Sequence, residues 1–387
     1  MREYERTHSW LKFAVSLAEA PPAFWFALGE CQSKCEHIAG VPLRPATRRR
    51  LHQIYLAKGS LASAAIEGNT LTEEEVLGSL EGRPPRDAPA YMEREVRNII
   101  DAANDMIARL EAGEKLDVTP ERIRELNRIV LRELDPGDGI RGGELRTWPV
   151  HVGGVYRGVP HADCEFLVRR MCEFLGDERT FEPNSGMEIA FAILRAIIAH
   201  VYLVWIHPFG DGNGRTARLL ELQILIGAGV PAPAAHLLSN HYNQTRPEYY
   251  RQLDRASKNG GDLVPFIEYS VEGLCRGLRA QLAEIREQQW DVAWRSFVHE
   301  EFRDRNGKSD VRRRRLVLDL SMENRVVPLA EVPRISVRVA AEYARTSGKT
   351  LSRDLNALEQ MGLIEKTRLG VRARKETILA FLPFRAP

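Results

Sequence analysis

Residues 207–218 read His-Pro-Phe-Gly-Asp-Gly-Asn-Gly-Arg-Thr-Ala-Arg. This glycine-rich stretch separates two segments, near 186–204 and 215–228, whose apolar spacing predicts amphipathic or buried helices. Between them the chain needs a small-residue loop, and the loop's composition also suits phosphoryl chemistry. His207 can take a proton from a hydroxyl near neutral pH. Asp211 can hold a hard divalent cation through oxygen. Gly212, Asn213 and Gly214 tolerate positive φ angles, so their backbone N–H groups can converge on an anion. The helix that follows presents its positive dipole end to the same place. Arg215 and Arg218, three residues apart, share a helix face and can grip phosphates with bidentate donors.

Taken singly, these residues are ordinary turn formers. Together they match the pattern His-x-Phe-x-(Asp/Glu)-Gly-Asn-Gly-Arg-x-x-Arg at every fixed position, and the chain resembles the Fic family, which carries that signature. The similarity extends over roughly residues 10–290. Phe191-Ala192 and Ala196-Ile197-Ile198-Ala199-His200 resemble the apolar helix before the family's motif. Pro247-Glu248-Tyr249-Tyr250 resembles its paired tyrosines near the nucleotide. The resemblance implies a mainly α fold: a Fic helical core with a small β-hairpin flap, plus a C-terminal winged helix-turn-helix domain. It implies transfer of AMP from ATP, with Mg²⁺, to a Ser, Thr or Tyr hydroxyl of a target protein. His207 would be the general base and Asp211 the metal ligand. Gly212, Asn213, Gly214, Arg215 and Arg218 would hold the phosphates, and Tyr249 and Tyr250 would line the nucleoside pocket.

The flanking chain refines that expectation. Residues 43–66 show helical spacing that ends at Gly68. Residues 72–80 open with a Thr cap and acidic first-turn residues. Segments near 89–111, 119–133 and 163–176 also read as helices. Between Arg146 and Pro160 the pattern changes to Trp148-Pro149-Val150-His151-Val152, Gly153-Gly154 and Val155-Tyr156-Arg157, which predicts a short hairpin with a glycine turn. In the family such a flap holds the target segment by strand addition. Ser63-Ala64-Ala65-Ile66-Glu67-Gly68-Asn69 ends a helix, where Gly68 or Asn69 can cap it. A glutamate at that end opposes the helix dipole and needs a cation nearby. The segment resembles the family's inhibitory helix, with Ser63, Glu67 and Gly68 at its fixed positions. That resemblance implies that Glu67 pairs with Arg218 and keeps it from the γ-phosphate, so the resting enzyme is autoinhibited.

The overall formal charge is only +2, but it is unevenly spread. From residue 301 onward there are 19 Lys and Arg against 11 Asp and Glu, an asymmetry that suits nucleic acid or an acidic partner. Residues 335–344 suggest a short helix and Ser347–Thr350 a turn and cap. Leu351, Leu355, Leu358 and Met361 stripe a second helix, Gly362–Lys366 follows, and a returning strand is expected over 376–382. This is the plan of a winged helix-turn-helix, in which Lys349, Arg353, Arg368, Arg372, Arg374 and Lys375 could meet phosphate. DNA contact and a role in dimerisation or docking both stay open. The expected organisation is an N-terminal helical region over 1–95 carrying the inhibitory motif, a Fic core over 96–295 and a winged helix-turn-helix domain over 305–387. The charged run 303–312 reads as a linker edge.

No stretch approaches ~20 uninterrupted apolar residues, so no membrane partner is expected. The first residues lack an apolar signal core. Five cysteines form an odd set suited to a reducing compartment, and the i, i+4 pair Cys31 and Cys35 with His37 has no matching ligand pair. The expectation is a cytoplasmic protein, and the inhibitory-helix arrangement implies a homodimer. Two other functions remain. One is a DNA-binding regulator that uses the Fic core as a nucleotide sensor. The other is a Fic enzyme that removes AMP or transfers another phosphoryl group.

Overall fold

The computed structural model describes residues 2–42, 45–85, 88–152, 156–181, 186–344, 346 and 348–379. It is mainly helical, with two short antiparallel hairpins. The chain divides into two compact units, Met1–Leu282 and Ala283–Pro387. Residues 1–95 therefore share one unit with the signature loop. The long helix Val264–Glu301 carries the chain past the boundary, which leaves no linker before residue 301. The run expected as a linker edge turns helical at Lys308, because Lys308–Leu320 buries Leu316, Val317 and Leu320 beneath its arginines.

In the first unit the helix Glu188–Ile206 is the core element. It buries fifteen of its residues, among them Ile193, Ile197, Val201, Leu203 and Trp205. Its length and mean hydropathy of 2.1 would let it cross a membrane, but 83% of that window is buried within the protein, as expected for a core helix apolar on all sides. Fully burying each large aliphatic side chain contributes about 1.5–3 kcal/mol. The signature helix Asn213–Gly227 packs against it. The short loop between them makes them neighbours. Pro45–Ile66, Ala90–Glu111 and Pro120–Val130 pack on the signature helix from the other side. The last is shorter than the expected 119–133, because the chain leaves the helix at Leu131 and takes a positive φ at Glu133.

The expected hairpin is present as His151–Val152 paired with Tyr156–Arg157; its glycine turn lies outside the described residues. Tyr156 is anchored by donating its hydroxyl to Trp205 O at 2.7 Å. In the second unit, Val337–Tyr343 and Gly348–Gln360 are helices, and Ile364–Thr367 pairs with Gly370–Ala373. Gly348 already begins the second helix; Ser347 lies outside the described residues. Of the returning strand expected over 376–382, residues 380–382 lie outside the described residues, and Lys375–Ile378 is a 3-10 turn; the strand that pairs with Ile364–Thr367 follows directly from Gly370. Val327 bridges to Val371 through two backbone hydrogen bonds, and a Cβ on Gly370 would meet Val327 O at 2.1 Å. Leu355 and Leu358 are buried in this core, with Leu351 and Met361 packed at its margin.

Candidate active site

The central helix ends at His207, which takes the left-handed conformation (φ +49°). A left-handed non-glycine residue carries strain that its surroundings must offset. His207 N donates to Leu203 O at 3.0 Å. Nδ1 lies 3.3 Å from Val204 O, so Nδ1 carries the proton and Nε2 is left as the acceptor. Burial, opposed by the Val204 carbonyl, Glu67 and Asp211 and aided by Arg146, brings the imidazole pKa down to about 4. At neutral pH His207 is an uncharged base.

The loop that follows is locked by its own asparagine. Asn213 Nδ2 donates to Phe209 O, and Asn213 Oδ1 accepts from Phe209 N, both at 2.9 Å. Gly212 caps the signature helix at φ +75°, a conformation that favours glycine. Asn127, which the sequence reading did not single out, clamps the loop from outside. Its Nδ2 donates to Asp211 O and to Thr216 Oγ1, and its Oδ1 accepts from Gly143 N. The first-turn N–H groups of the signature helix have no acceptor within the helix, which leaves them for an anion.

Each arginine of the signature meets a carboxylate from elsewhere in the fold. Arg218 is 1% exposed at its side chain. Its Nε donates to Ser63 Oγ at 2.9 Å, and its Nη2 donates to Ser63 O at 2.8 Å and to Glu67 Oε1 at 2.7 Å. Nη1 has no partner. Glu67 follows the end of Pro45–Ile66, where Gly68 takes φ +106°. Its side chain keeps 34% of its surface open. Burial would raise its pKa, but the charge and hydrogen bond of Arg218, with Arg215 and His207, pull it below the ordinary carboxylate value. A Cβ on Gly214 would meet Glu67 Oε1 at 2.1 Å, so the carboxylate rests against the glycine-rich turn itself. Arg215 donates to Glu95 Oε1 at 2.5 Å and to Asp211 Oδ2 at 3.1 Å. Glu95, also absent from the sequence reading, accepts from Asn69 Nδ2 at 2.9 Å. It thus links Arg215 to the segment just after Glu67.

The two tyrosines part company. Tyr249 is buried, with its hydroxyl 2.9 Å from His200 Nε2, so its ring packs into the core. Tyr250 is exposed and donates to Ile66 O at 3.3 Å, beside Glu67. Behind Arg218, burial raises the Glu221 pKa to about 8, opposed by the hydrogen bond from Tyr242 and the charge of Arg218. A cavity of about 390 Å³ lined by Leu110, Phe181, Phe191, Arg195 and Ile224 contains no signature residue. Among the described residues no group of three or more His, Cys, Asp or Glu is placed to hold a metal.

Arg146 completes the loop. It is buried, and its guanidinium donates to three backbone carbonyls, those of His207, Trp148 and Val159. Nothing in its sequence context marks it beyond its place at the start of the hairpin segment.

Residues 117–225 match the Fic/DOC family. The chain is 36% identical over 237 residues to the protein adenylyltransferase Fic of Drosophila grimshawi, covering 61% of this chain and 44% of that protein. With the Drosophila ananassae protein it shares 33% over 245 residues, or 63% and 45%. The chain thus spans under half the length of these curated relatives. Fic-1 (aa134–508) from C. elegans superposes with a TM-score of 0.54 at 26% identity, covering 69% of this chain and 74% of that one. A Fic family protein from Desulfovibrio desulfuricans G20 shares the fold over 92% of this chain and 94% of that one, with a TM-score of 0.55 at 19% identity. This chain carries a Fic/DOC-family domain over residues 117–225.

Proposed function

We propose that this protein is an autoinhibited adenylyltransferase that moves AMP from ATP to a Ser, Thr or Tyr hydroxyl of a protein. The observation that carries the reading is the neutral imidazole of His207, with Nδ1 engaged by Val204 O, directly before a glycine turn and a helix start that carry Arg215 and Arg218. Nε2 takes the proton of the acceptor hydroxyl, and the oxygen attacks the α-phosphorus. The bond from that phosphorus to the bridging oxygen breaks, and pyrophosphate leaves. The first-turn N–H groups of Asn213–Gly227 and the Arg215 guanidinium stabilise the charge that develops. Because the protein does little covalent work, positioning dominates the rate. The name of the Drosophila relatives supports this choice over removal of AMP.

The residues fit Mg²⁺ brought in with ATP. Asp211 keeps 43% of its side-chain surface open, and among the described residues its Oδ2 is engaged only by Arg215. A cation held mainly by phosphates and water needs no more than one or two protein carboxylates. When bound, it would neutralise phosphate oxygens. Glu67 is proposed as the inhibitory residue, because it occupies the guanidinium that the γ-phosphate would need.

The hairpin is proposed as the acceptor-docking flap. Its two-stranded sheet leaves the outer edge of His151–Val152 without a strand partner among the described residues, which suits an added strand. The second unit is proposed as a winged helix-turn-helix, supported by the Val337–Tyr343 and Gly348–Gln360 helices and the Ile364–Ala373 hairpin. Its proposed DNA face is narrower than the sequence suggested. Arg372 is paired with Glu365 and Glu376, and Lys375 with Asp291. Lys349, Arg353, Arg368 and Arg374 remain for phosphate. A cytoplasmic homodimer is proposed with these roles; the free cysteines suit a reducing compartment.

Incubation of wild type, Glu67→Gly and His207→Ala with ATP labelled at the α-phosphate tests the reading. Label should enter protein with Glu67→Gly and stay out with His207→Ala. If Glu67→Gly instead abolishes demodification of an AMP-bearing protein, the enzyme removes AMP. Duplex DNA binding by the whole chain, falling with salt and weakened by Arg353→Ala, would support the regulator reading.

A further inference from the structure

Arg146 is a buried cation without a counter-ion. Its residue is 2% exposed, and no carboxylate pairs with it among the described residues. Its donors all go to backbone carbonyls: Nε to His207 O at 2.7 Å, Nη1 to Trp148 O at 2.8 Å and Nη2 to Val159 O at 2.5 Å. Its own N–H donates to Pro208 O at 3.0 Å, and the neighbouring Leu145 bridges to Phe209. Trp148 and Val159 flank the two ends of the His151–Arg157 hairpin, and His207 ends the central helix. One planar fork therefore joins three separate stretches of chain.

Burying an unpaired guanidinium is costly, and burial lowers its pKa accordingly. An apolar side chain of similar volume would fill the same space without that cost. What it could not do is hold three carbonyls in one plane, which needs the five-donor geometry of arginine. The surroundings are built around the group. A Cβ on Gly158 would sit 3.0 Å from Arg146 Nη2 and 2.8 Å from Val150 Cγ2. The carbonyl it grips at His207 belongs to the residue in the left-handed conformation, so the contact helps to hold that strained turn.

We infer that Arg146 is the positioning residue of the transfer reaction, fixing His207 and the acceptor-docking edge of the hairpin in a single register. The inference rests on the transferase reading. In it, the base and the hydroxyl it must reach are carried by different parts of the fold. A displacement of about 1 Å between such groups is enough to cost ~10²-fold in rate. Among the described residues, the hydrogen bonds of the Arg146 side chain go to His207, Trp148 and Val159 and none to Asn213–Gly227, so nucleotide binding is a separate function.

The test uses the full chain with Glu67→Gly as parent, adding Arg146→Lys or Arg146→Met. Three quantities are read: calorimetric affinity for Mg–ATP, the rate of self-labelling from α-labelled ATP, and the His207 pKa by ¹⁵N NMR of the imidazole. Arg146→Lys keeps the charge and loses the fork. It should label about 10²-fold more slowly with unchanged ATP affinity and an unchanged His207 pKa. Arg146→Met should show the same loss and a raised His207 pKa, because one of the charges facing it has gone while Asp211 remains. Labelling by Arg146→Lys at the parent's rate would overturn the inference. So would a loss of labelling matched by an equal loss of ATP affinity, which marks a merely structural role. If the Glu67→Gly parent transfers nothing, the transferase reading fails instead. The NMR arm then decides Arg146: the raised pKa in Arg146→Met supports its contact with His207, and an unmoved one refutes it.

Discussion

Replacing Glu67 should release Arg218, and the size of the release follows from the contact. The pair is close, at 2.7 Å, with the arginine side chain 1% exposed and the glutamate 34% exposed. A hydrogen bond to a charged group contributes about 1.5–3 kcal/mol. The exposed third of Glu67 screens the pair and argues against the upper end of that range. A value of about 2 kcal/mol makes Arg218 roughly 30-fold more available to phosphate. Glu67→Gly should therefore raise ATP affinity and the initial rate of α-label incorporation by about that factor. Glu67→Gln removes the charge but keeps an acceptor, so it should fall between the two. Calorimetry with Mg–ATP and timed label incorporation measure the effect, with thermal melting as a control for folding. A Glu67→Gly protein that melts like wild type, yet binds ATP no more tightly and labels no faster, would refute the assignment. The pH dependence has a definite sign. Arg218 holds the Glu67 pKa below its ordinary value of 4.5. The ion pair's contribution is therefore present above that value and lost only as pH falls through the lowered one. Inhibition should persist unchanged from pH 5 to 8.

Three further outcomes are expected. With the His207 pKa at about 4, labelling by Glu67→Gly should show no acid limb from this group between pH 5 and 8; a limb centred near 6.5 would count against a neutral resting base. Glu221, with its pKa raised to about 8, contributes stability that is fully present below 4.5 and lost as pH rises through 8. Glu221→Gln should flatten the fall in melting temperature over that window, and an unchanged slope would contradict the burial argument. In the second unit, Asp354 is 1% exposed and accepts from Arg312, Arg313 and Tyr343. Asp354→Ala should destabilise that unit by about 3 kcal/mol in denaturant unfolding, and a loss under 1 kcal/mol would show the cluster to be dispensable.

The signature loop and Glu67 were legible because each combines a residue type with a fixed spacing. Glycines mark the turn, and helical periodicity places Arg215 and Arg218 on one face. Arg146, Asn127 and Glu95 were not legible. Each has a partner in the signature region, His207 O, Asp211 O or the Arg215 side chain, that lies 61, 84 or 120 positions away, and no local pattern records such distances. Tyr249 looked equivalent to Tyr250 because adjacent residues on a helix differ only in direction, about 100° apart. Only the packed fold says which one faces the core. The Lys308–Leu320 helix was hidden by its arginines, which cover a buried apolar face. The wing's returning strand was misplaced because a tight Gly370 turn needs fewer residues than the open loop assumed.

Once Glu67 is removed, His207 should direct AMP onto protein. Intact-mass spectrometry of the Glu67→Gly chain after incubation with Mg–ATP tests it most directly. A species heavier by one AMP should appear, and it should be absent from the Glu67→Gly, His207→Ala double variant. No added mass in the single variant despite ATP binding, or the same added mass in both, would contradict it.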